Sequence, residues 1–155
     1  MKILSGSVAQ TLSIGRRIAL KLLGGEVILL SGALGAGKTV LAKGIAKGLG
    51  INPPEVISPT FVLLRIHKGK YFLQHFDLYR LKTPQDILSL GFDEYLYSDA
   101  ITLIEWPERL KFLLPKEFLK IKLLPKGKQQ RSLQFVAKGK RYKQLLGKIS
   151  EDIRN

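Results

Sequence analysis

Apolar runs that halt at polar residues, alternating with helical periodicity, call for a three-layer α/β fold with a mainly parallel central sheet and added antiparallel hairpins. Val27-Ile28-Leu29-Leu30 stops at Ser31-Gly32, and Leu41, Ala42, Ile45, Ala46 and Leu49 then recur at helical spacing. Ala100-Ile101-Thr102-Leu103-Ile104 stops at Glu105. Runs this apolar belong to parallel strands covered on both faces. Alternating segments around turn residues supply the hairpins: Phe61 to His67 with Tyr71 to Tyr79, and Phe118 to Leu124 with Ser132 to Val136.

The first element is an amphipathic helix within Ser5 to Leu23, with Val8, Leu12, Ile18, Leu22 and Leu23 apolar and Arg16, Arg17 and Lys21 on other faces. Ser5 or Ser7 caps it, and Gly24-Gly25 ends it. The first apolar strand then leads into Gly32-Ala33-Leu34-Gly35-Ala36-Gly37-Lys38-Thr39, which matches G-x-x-x-x-G-K-[ST]. A buried strand before the motif and a helix after it are the context of a phosphate-binding loop, so the fold expected is that of the P-loop NTPases. Backbone N–H groups of such a loop turn inward around phosphates, and the helix beneath presents its positive end to the anion. The ligands this implies are ATP or ADP with Mg2+. Gly32, Leu34, Gly35, Ala36, Gly37, Lys38, Thr39 and Val40 are the candidate nucleotide contacts. Lys38 reaches the β- and γ-phosphate oxygens, and the Thr39 hydroxyl ligates Mg2+.

Ile51-Asn52-Pro53-Pro54 breaks the helix, and Pro59 pushes Ser58 towards extended geometry. His67-Lys68-Gly69-Lys70 reads as the turn of the first hairpin. Alternation along its second strand puts His75, Asp77 and Tyr79 on one face and Phe76 and Leu78 on the other. Asp77 either serves the nucleotide, through a water on Mg2+ or by orienting an attacking water, or ends a solvated strand in a structural bond with His75. Thr83 and Pro84 start a helix whose apolar face is Ile87, Leu88 and Leu90 and which Gly91 closes. Phe92 to Tyr97 reads as a short helical turn.

A P-loop enzyme needs a carboxylate at the end of a neighbouring strand, on Mg2+ directly or through water. Glu105 is placed for this, with Asp77 second. Trp106 covers the site or is an ordinary buried aromatic, and Glu108 is a solvated acid or one that supports a ligand from behind, rather than a ligand itself. The second hairpin has one packed face and one lysine-coated face, turning at Pro125-Lys126-Gly127-Lys128. Arg131 begins its second strand; spacing alone favours a surface arginine over one approaching the nucleotide. Tyr142, Leu145, Leu146 and Ile149 mark a closing helix.

A chain of 155 residues is expected to form one domain, 1–155, with the basic hairpin and helix of 116–153 as part of it. The absence of cysteine excludes disulfides and thiolate metal sites. No signal-peptide layout or membrane-length apolar run is found, so no membrane contact and a cytosolic location are expected. The net charge of +14 is uneven: residues 109–155 carry 14 Lys or Arg against 3 Asp or Glu, hence +11. That excess suits either an anionic partner such as RNA or a merely solubilised surface.

Together these motifs resemble one family. The loop at 32–39, Ser58-Pro59-Thr60-Phe61, His75-Phe76-Asp77-Leu78-Tyr79-Arg80 and Ile104-Glu105-Trp106-Pro107-Glu108 look like the four signatures of the TsaE (YjeE) family, the small ATPases of bacterial tRNA threonylcarbamoyladenosine synthesis. The resemblance covers roughly 5–137. It implies a cytoplasmic Mg2+-dependent ATPase, slow alone, that resets the TsaB–TsaD pair between transfers of threonylcarbamoyl to adenosine 37 of ANN-reading tRNAs. It implies that Ser58 to Phe61 form a switch loop and that Thr39 and Glu105 hold Mg2+. Asp77 would be a required acid, and Trp106 would lie near the phosphates. Ser7 and Thr11 would lie beside the adenine, and Arg131 would contact nucleotide. Lys38, Asp77 and Glu105 are the candidate catalytic groups. Ala33 stands where the family usually has Asp, and Val40 where it has a second Thr, which bears on hydrolysis rate and partner contact. The alternatives are a small-molecule kinase on the same fold and a basic RNA-binding module whose loop binds nucleotide without turnover.

Overall fold

This computed structural model describes residues 1–52, 56 and 63–155. The strands are β1 (Lys2–Ser5), β2 (Val27–Ser31), β3 (Leu64–Lys68), β4 (Phe72–Asp77), β5 (Ile101–Glu105), β6 (Phe118–Pro125) and β7 (Arg131–Lys138). The helices are α1 (Val8–Ala19), α2 (Lys38–Gly48), α3 (Pro84–Leu88), α4 (Phe92–Leu96) and α5 (Lys140–Arg154), with a 3-10 segment over Pro107–Leu113 that is kinked at Lys111. The seven strands make one sheet in the order β1-β7-β6-β2-β5-β4-β3. Its centre, β6-β2-β5-β4, is parallel, and antiparallel pairings add β7 and β1 at one side and β3 at the other.

Both faces of β2 and β5 are covered, as their apolar runs require. Ile28 and Leu30 point to one core, under α1, α2 and α5; Val27 and Leu29 point to the other, under α3, α4 and the 3-10 helix. This is the three-layer α/β fold expected. The second hairpin is no appendage: β6 pairs in parallel with β2 through Ile28↔Leu119 to Ser31↔Lys122, inside the sheet.

The packing of α1 on α2 depends on glycines. A Cβ at Gly15 would meet the Leu41 carbonyl oxygen at 2.6 Å, and one at Gly44 would meet that of Leu12 at 2.4 Å. Only residues without a Cβ let the helix backbones approach this closely, and this fixes where α2, and hence the loop before it, sits. At the other end of β2, the buried Val27 amide donates to the Tyr142 hydroxyl at 2.8 Å, so α5 is pinned to the central strand.

Element boundaries tightened. The first helix runs from Val8 with Ser7 as its cap, its Oγ accepting from the Gln10 amide at 3.1 Å. Ser5 instead ends β1, a strand absent from the sequence reading. Its Lys2 and Leu4 are exposed and Ser5 is buried, so four residues at an edge carry too little pattern. Thr83 caps α3 in a capping box with Asp86, and Gly91, with φ 72°, opens α4 rather than only closing α3. The hairpin strand expected over Phe61 to His67 is described from Leu64; Phe61 and the Ser58–Phe61 segment lie outside the described residues.

Candidate functional site

The parallel strands β2, β5 and β4 end together, and their register brings three chemistries side by side: Leu30 lies opposite Glu105, and Glu105 opposite Asp77. Just beyond β2 the chain turns through the glycine-rich loop into α2. Gly37, at φ 104°, is in the left-handed region that a side chain would strain. A Cβ there would also push the Arg131 guanidinium aside, so the loop and β7 pack directly against each other at this glycine.

The result is a cavity of about 270 Å³ between the loop and the strand ends. The loop supplies Leu34, Gly35, Ala36, Gly37, Lys38, Thr39 and Val40; the strand ends supply Asp77, Glu105 and Trp106; β7 supplies Arg131. Asp77 and Glu105 are buried. The Tyr79 amide donates to Asp77 Oδ1 at 2.9 Å, which fixes that carboxylate at the strand end. His75 lies behind, fully buried, with Nε2 3.8 Å from Glu105 Oε2. The structural His75–Asp77 bond weighed from spacing is replaced by this approach to Glu105. Glu108 is exposed.

Lys38 opens α2 and its ammonium donates to the Gly32 and Ala33 carbonyls of its own loop. It also lies 4.2 Å from the centroid of the Trp106 ring, a cation–π contact. Burial pushes the Lys38 pKa below its usual value, against the pull of the Glu105, Asp77 and Glu108 carboxylates. Trp106 holds φ 59° and ψ 51°, a left-handed conformation uncommon for a bulky residue. That twist follows Glu105 directly and lays the indole on Tyr79, ring centroids 4.9 Å apart. Trp106 therefore covers the cavity, and Tyr79, not singled out from sequence, supports it. Alternation had already placed Tyr79 beside Asp77.

Arg131 corrects the expectation from spacing. It is 7% exposed, not a surface arginine, because β7 starts beside the loop. Its Nη2 donates to the Gln129 carbonyl at 3.2 Å, while Nε has no hydrogen-bond partner among the described residues. A buried guanidinium with an orphan donor at a cavity wall is a place for an anion. Ser7 and Thr11 stand apart. Ser7 Oγ accepts its helix-cap bond, and Thr11 is fully buried, its hydroxyl 2.7 Å from that of Ser5 and donating to the Ser7 carbonyl at 3.1 Å. Neither lines the cavity.

The donor set fits a phosphate chain with a hard divalent cation. A hydroxyl and two carboxylates suit Mg2+, which keeps few protein ligands and shares the phosphate oxygens. No cluster of three or more His, Asp or Glu that could hold a metal occurs among the described residues. No described helix is long and apolar enough to cross a membrane.

Comparison with known proteins gives one answer. Residues 5–133 match the model of the family described as threonylcarbamoyl adenosine biosynthesis protein TsaE. The chain is 41% identical to the tRNA threonylcarbamoyladenosine biosynthesis protein TsaE of Treponema pallidum, over 79% of this chain and 90% of that one. It is 39% identical to the protein of that name from Bacillus subtilis, over 81% of this chain and 78% of that one. The crystal structure of Bacillus subtilis YdiB superposes with a TM-score of 0.84 at 33% identity, covering 98% of this chain and 95% of that one.

Proposed function

The chain belongs to the TsaE family of tRNA threonylcarbamoyladenosine biosynthesis, and from that membership we propose that it is a Mg2+-dependent ATPase serving this modification. In this reading it is slow alone and acts with TsaB–TsaD, resetting that pair between transfers of threonylcarbamoyl to adenosine 37 of ANN-reading tRNAs in the cytoplasm. The observation that carries the reading is the pairing of Asp77 with Glu105 on adjacent parallel strands, opening on the cavity that also holds Lys38 and Thr39.

Loop amides and the α2 N-terminus receive the phosphates of ATP. Thr39 and Glu105 would hold Mg2+, which would supply positive charge to the phosphates. Asp77, fixed by the Tyr79 amide, orients a water for in-line attack on the γ-phosphorus. The oxygen of that water bonds to phosphorus as the bond to the bridging oxygen breaks; the water's proton passes to a phosphate oxygen, and ADP and inorganic phosphate leave. Lys38 and Arg131 meet the developing negative charge. Trp106 and Tyr79 limit water access beside it.

The test is ATP hydrolysis by the chain alone, then with TsaB–TsaD, then with an ANN-reading tRNA added. Strong stimulation by the pair is expected. Bound ATP with no turnover under any of these conditions removes the ATPase reading and leaves a nucleotide-dependent binder.

A further inference from the structure

Beyond the 3-10 segment, the outer face of β6, β7 and β1 has no helix over it, and the charges on these strands have one sign. Along β6, Leu119, Ile121 and Leu123 enter the core under α1 and α5, so Lys120 and Lys122 lie on the opposite face with Phe118. Along β7, Leu133 and Phe135 enter that core, so Gln134, Val136 and Lys138 lie opposite. On β1, Ile3 packs inward and Lys2 and Leu4 face out. The helical layer on this side reaches as far as Phe118 and stops. Lys2, Lys122 and Lys138 are exposed, as are Leu4 at 59% and Val136 at 56%.

Register sets the spacing. Lys122 and Lys2 both lie opposite Gln134, one from each neighbouring strand, so their α-carbons are about 10 Å apart. Lys120 and Lys122 are two residues apart on one strand, about 7 Å. Lys138 lies opposite Phe118 with its ammonium 5.9 Å from that ring. Lys111 and Glu108 border the face in the hollow beside Lys120; the four lysines on the strands themselves are interleaved with no acid.

Two features decide what such a surface takes. Centres of protein interfaces are depleted in lysine and anchored by aromatics, whereas this face is lysine around three aliphatic side chains, Leu4, Leu124 and Val136, with no exposed aromatic. It also has no platform on which bases could stack. What remains is a flat lattice of ammonium groups suited to a phosphodiester backbone, read without sequence. Because β6 is parallel to β2, the Lys122 end of the face lies at the end of the sheet where the phosphate loop sits.

We propose that the open β6–β7–β1 face, through Lys2, Lys120, Lys122 and Lys138, docks the phosphate backbone of RNA. This rests on the proposed place of the chain in tRNA modification and specifies which surface meets the RNA. Bound there, an RNA lies along the sheet towards the nucleotide end of the molecule.

The test measures binding of the full chain to an unmodified, ANN-reading tRNA transcript from 50 to 200 mM salt. The variant K2S/K122S/K138S is compared with K140S/K143S/K148S, which removes the same charge from exposed positions of α5. Counterion release predicts that the sheet variant loses about 2 to 3 from the slope of log affinity against log salt, and at least about tenfold in affinity at low salt. The α5 variant is expected to change little. Equal losses in both variants mean general basicity and overturn the proposal, as does an unchanged sheet variant. Poly-glutamate of matched charge competing as well as the transcript also overturns it, in favour of an acidic protein face. ATP turnover with TsaB–TsaD is measured on the same samples, and it is expected to be unchanged in the sheet variant. Lost RNA binding with turnover intact separates this surface from the ATPase reading.

Discussion

At Lys38 two requirements oppose each other. The ammonium must be held where phosphates arrive, yet it is 7% exposed there, and burial disfavours its charge more than the neighbouring carboxylates favour it. The sign of the consequence is fixed. With the folded pKa below the usual 10.5, the unfolded chain holds more protons in the window between the two values. The Lys38 contribution to stability therefore rises with pH through that window. Lys38→Met should flatten that rise in thermal melts taken from pH 8 to 11 and should abolish the melting shift given by Mg-ATP; a full ATP shift in this variant would remove Lys38 from the site. At Glu105 the separation is between metal and nucleotide. Glu105→Ala should weaken Mg-ATP binding by about tenfold or more while leaving Mg2+-free ADP binding nearly intact. Equal losses by calorimetry would take Glu105 off the cation. Lys38, Thr39 and Glu105 were legible in sequence because their chemistry comes with fixed spacing to an apolar strand. Arg131 was legible only through the family resemblance and not from spacing, since its place depends on a strand pairing more than ninety residues from the loop. The left-handed turn at Trp106 carries no glycine to signal it.

Among the elements, the contact between α1 and α2 carries the most information per residue. Gly15 and Gly44 face each other with α-carbons so close that an added methyl group at either meets backbone rather than a movable side chain. Gly44→Ala would normally favour a helix. Here overpacking dominates and should cost about 1–3 kcal/mol, lowering the melting temperature by several degrees. Because α2 begins at Lys38, the displaced helix should also bind ATP less well, which separates this site from a glycine of purely local importance; a neutral or raised melting temperature would contradict the packing. The periodicity of both helices was readable from sequence, but the depth of their contact was not, because a glycine in a helix reads as a weakness until its neighbour is known. The 3-10 helix over Pro107–Leu113 escaped for a related reason: it includes Lys111 at φ 48° and ψ −115°, so no helical period runs through it.

Across the whole molecule, the sheet couples the C-terminal half of the chain to the phosphate loop. The loop belongs to β2 and α2, yet the arginine against Gly37 comes from β7, which is held between β6 and β1. The sequence made the second hairpin visible as alternation and turn, but nothing local says that β6 inserts beside β2. That follows only from satisfying both edges of β2 at once, with β5 on the other side. The insertion converts a basic hairpin into part of the nucleotide cavity, and it predicts that ligand binding tightens strands distant in sequence. Mg-ATP should slow hydrogen exchange in β7 and in β1, which pairs with it from Lys2↔Gln134 to Ser5↔Arg131. Arg131→Ala should lower nucleotide affinity by about tenfold to a hundredfold, the range for one hydrogen bond to a charged group. It should also cancel the protection in β7 while sparing that in α2. Had the hairpin been independent of the site, Arg131→Ala would leave both affinity and exchange untouched. Loss of protection in α2 as well would mean instead that the variant loosens the loop itself, with Gly37 no longer braced by the guanidinium.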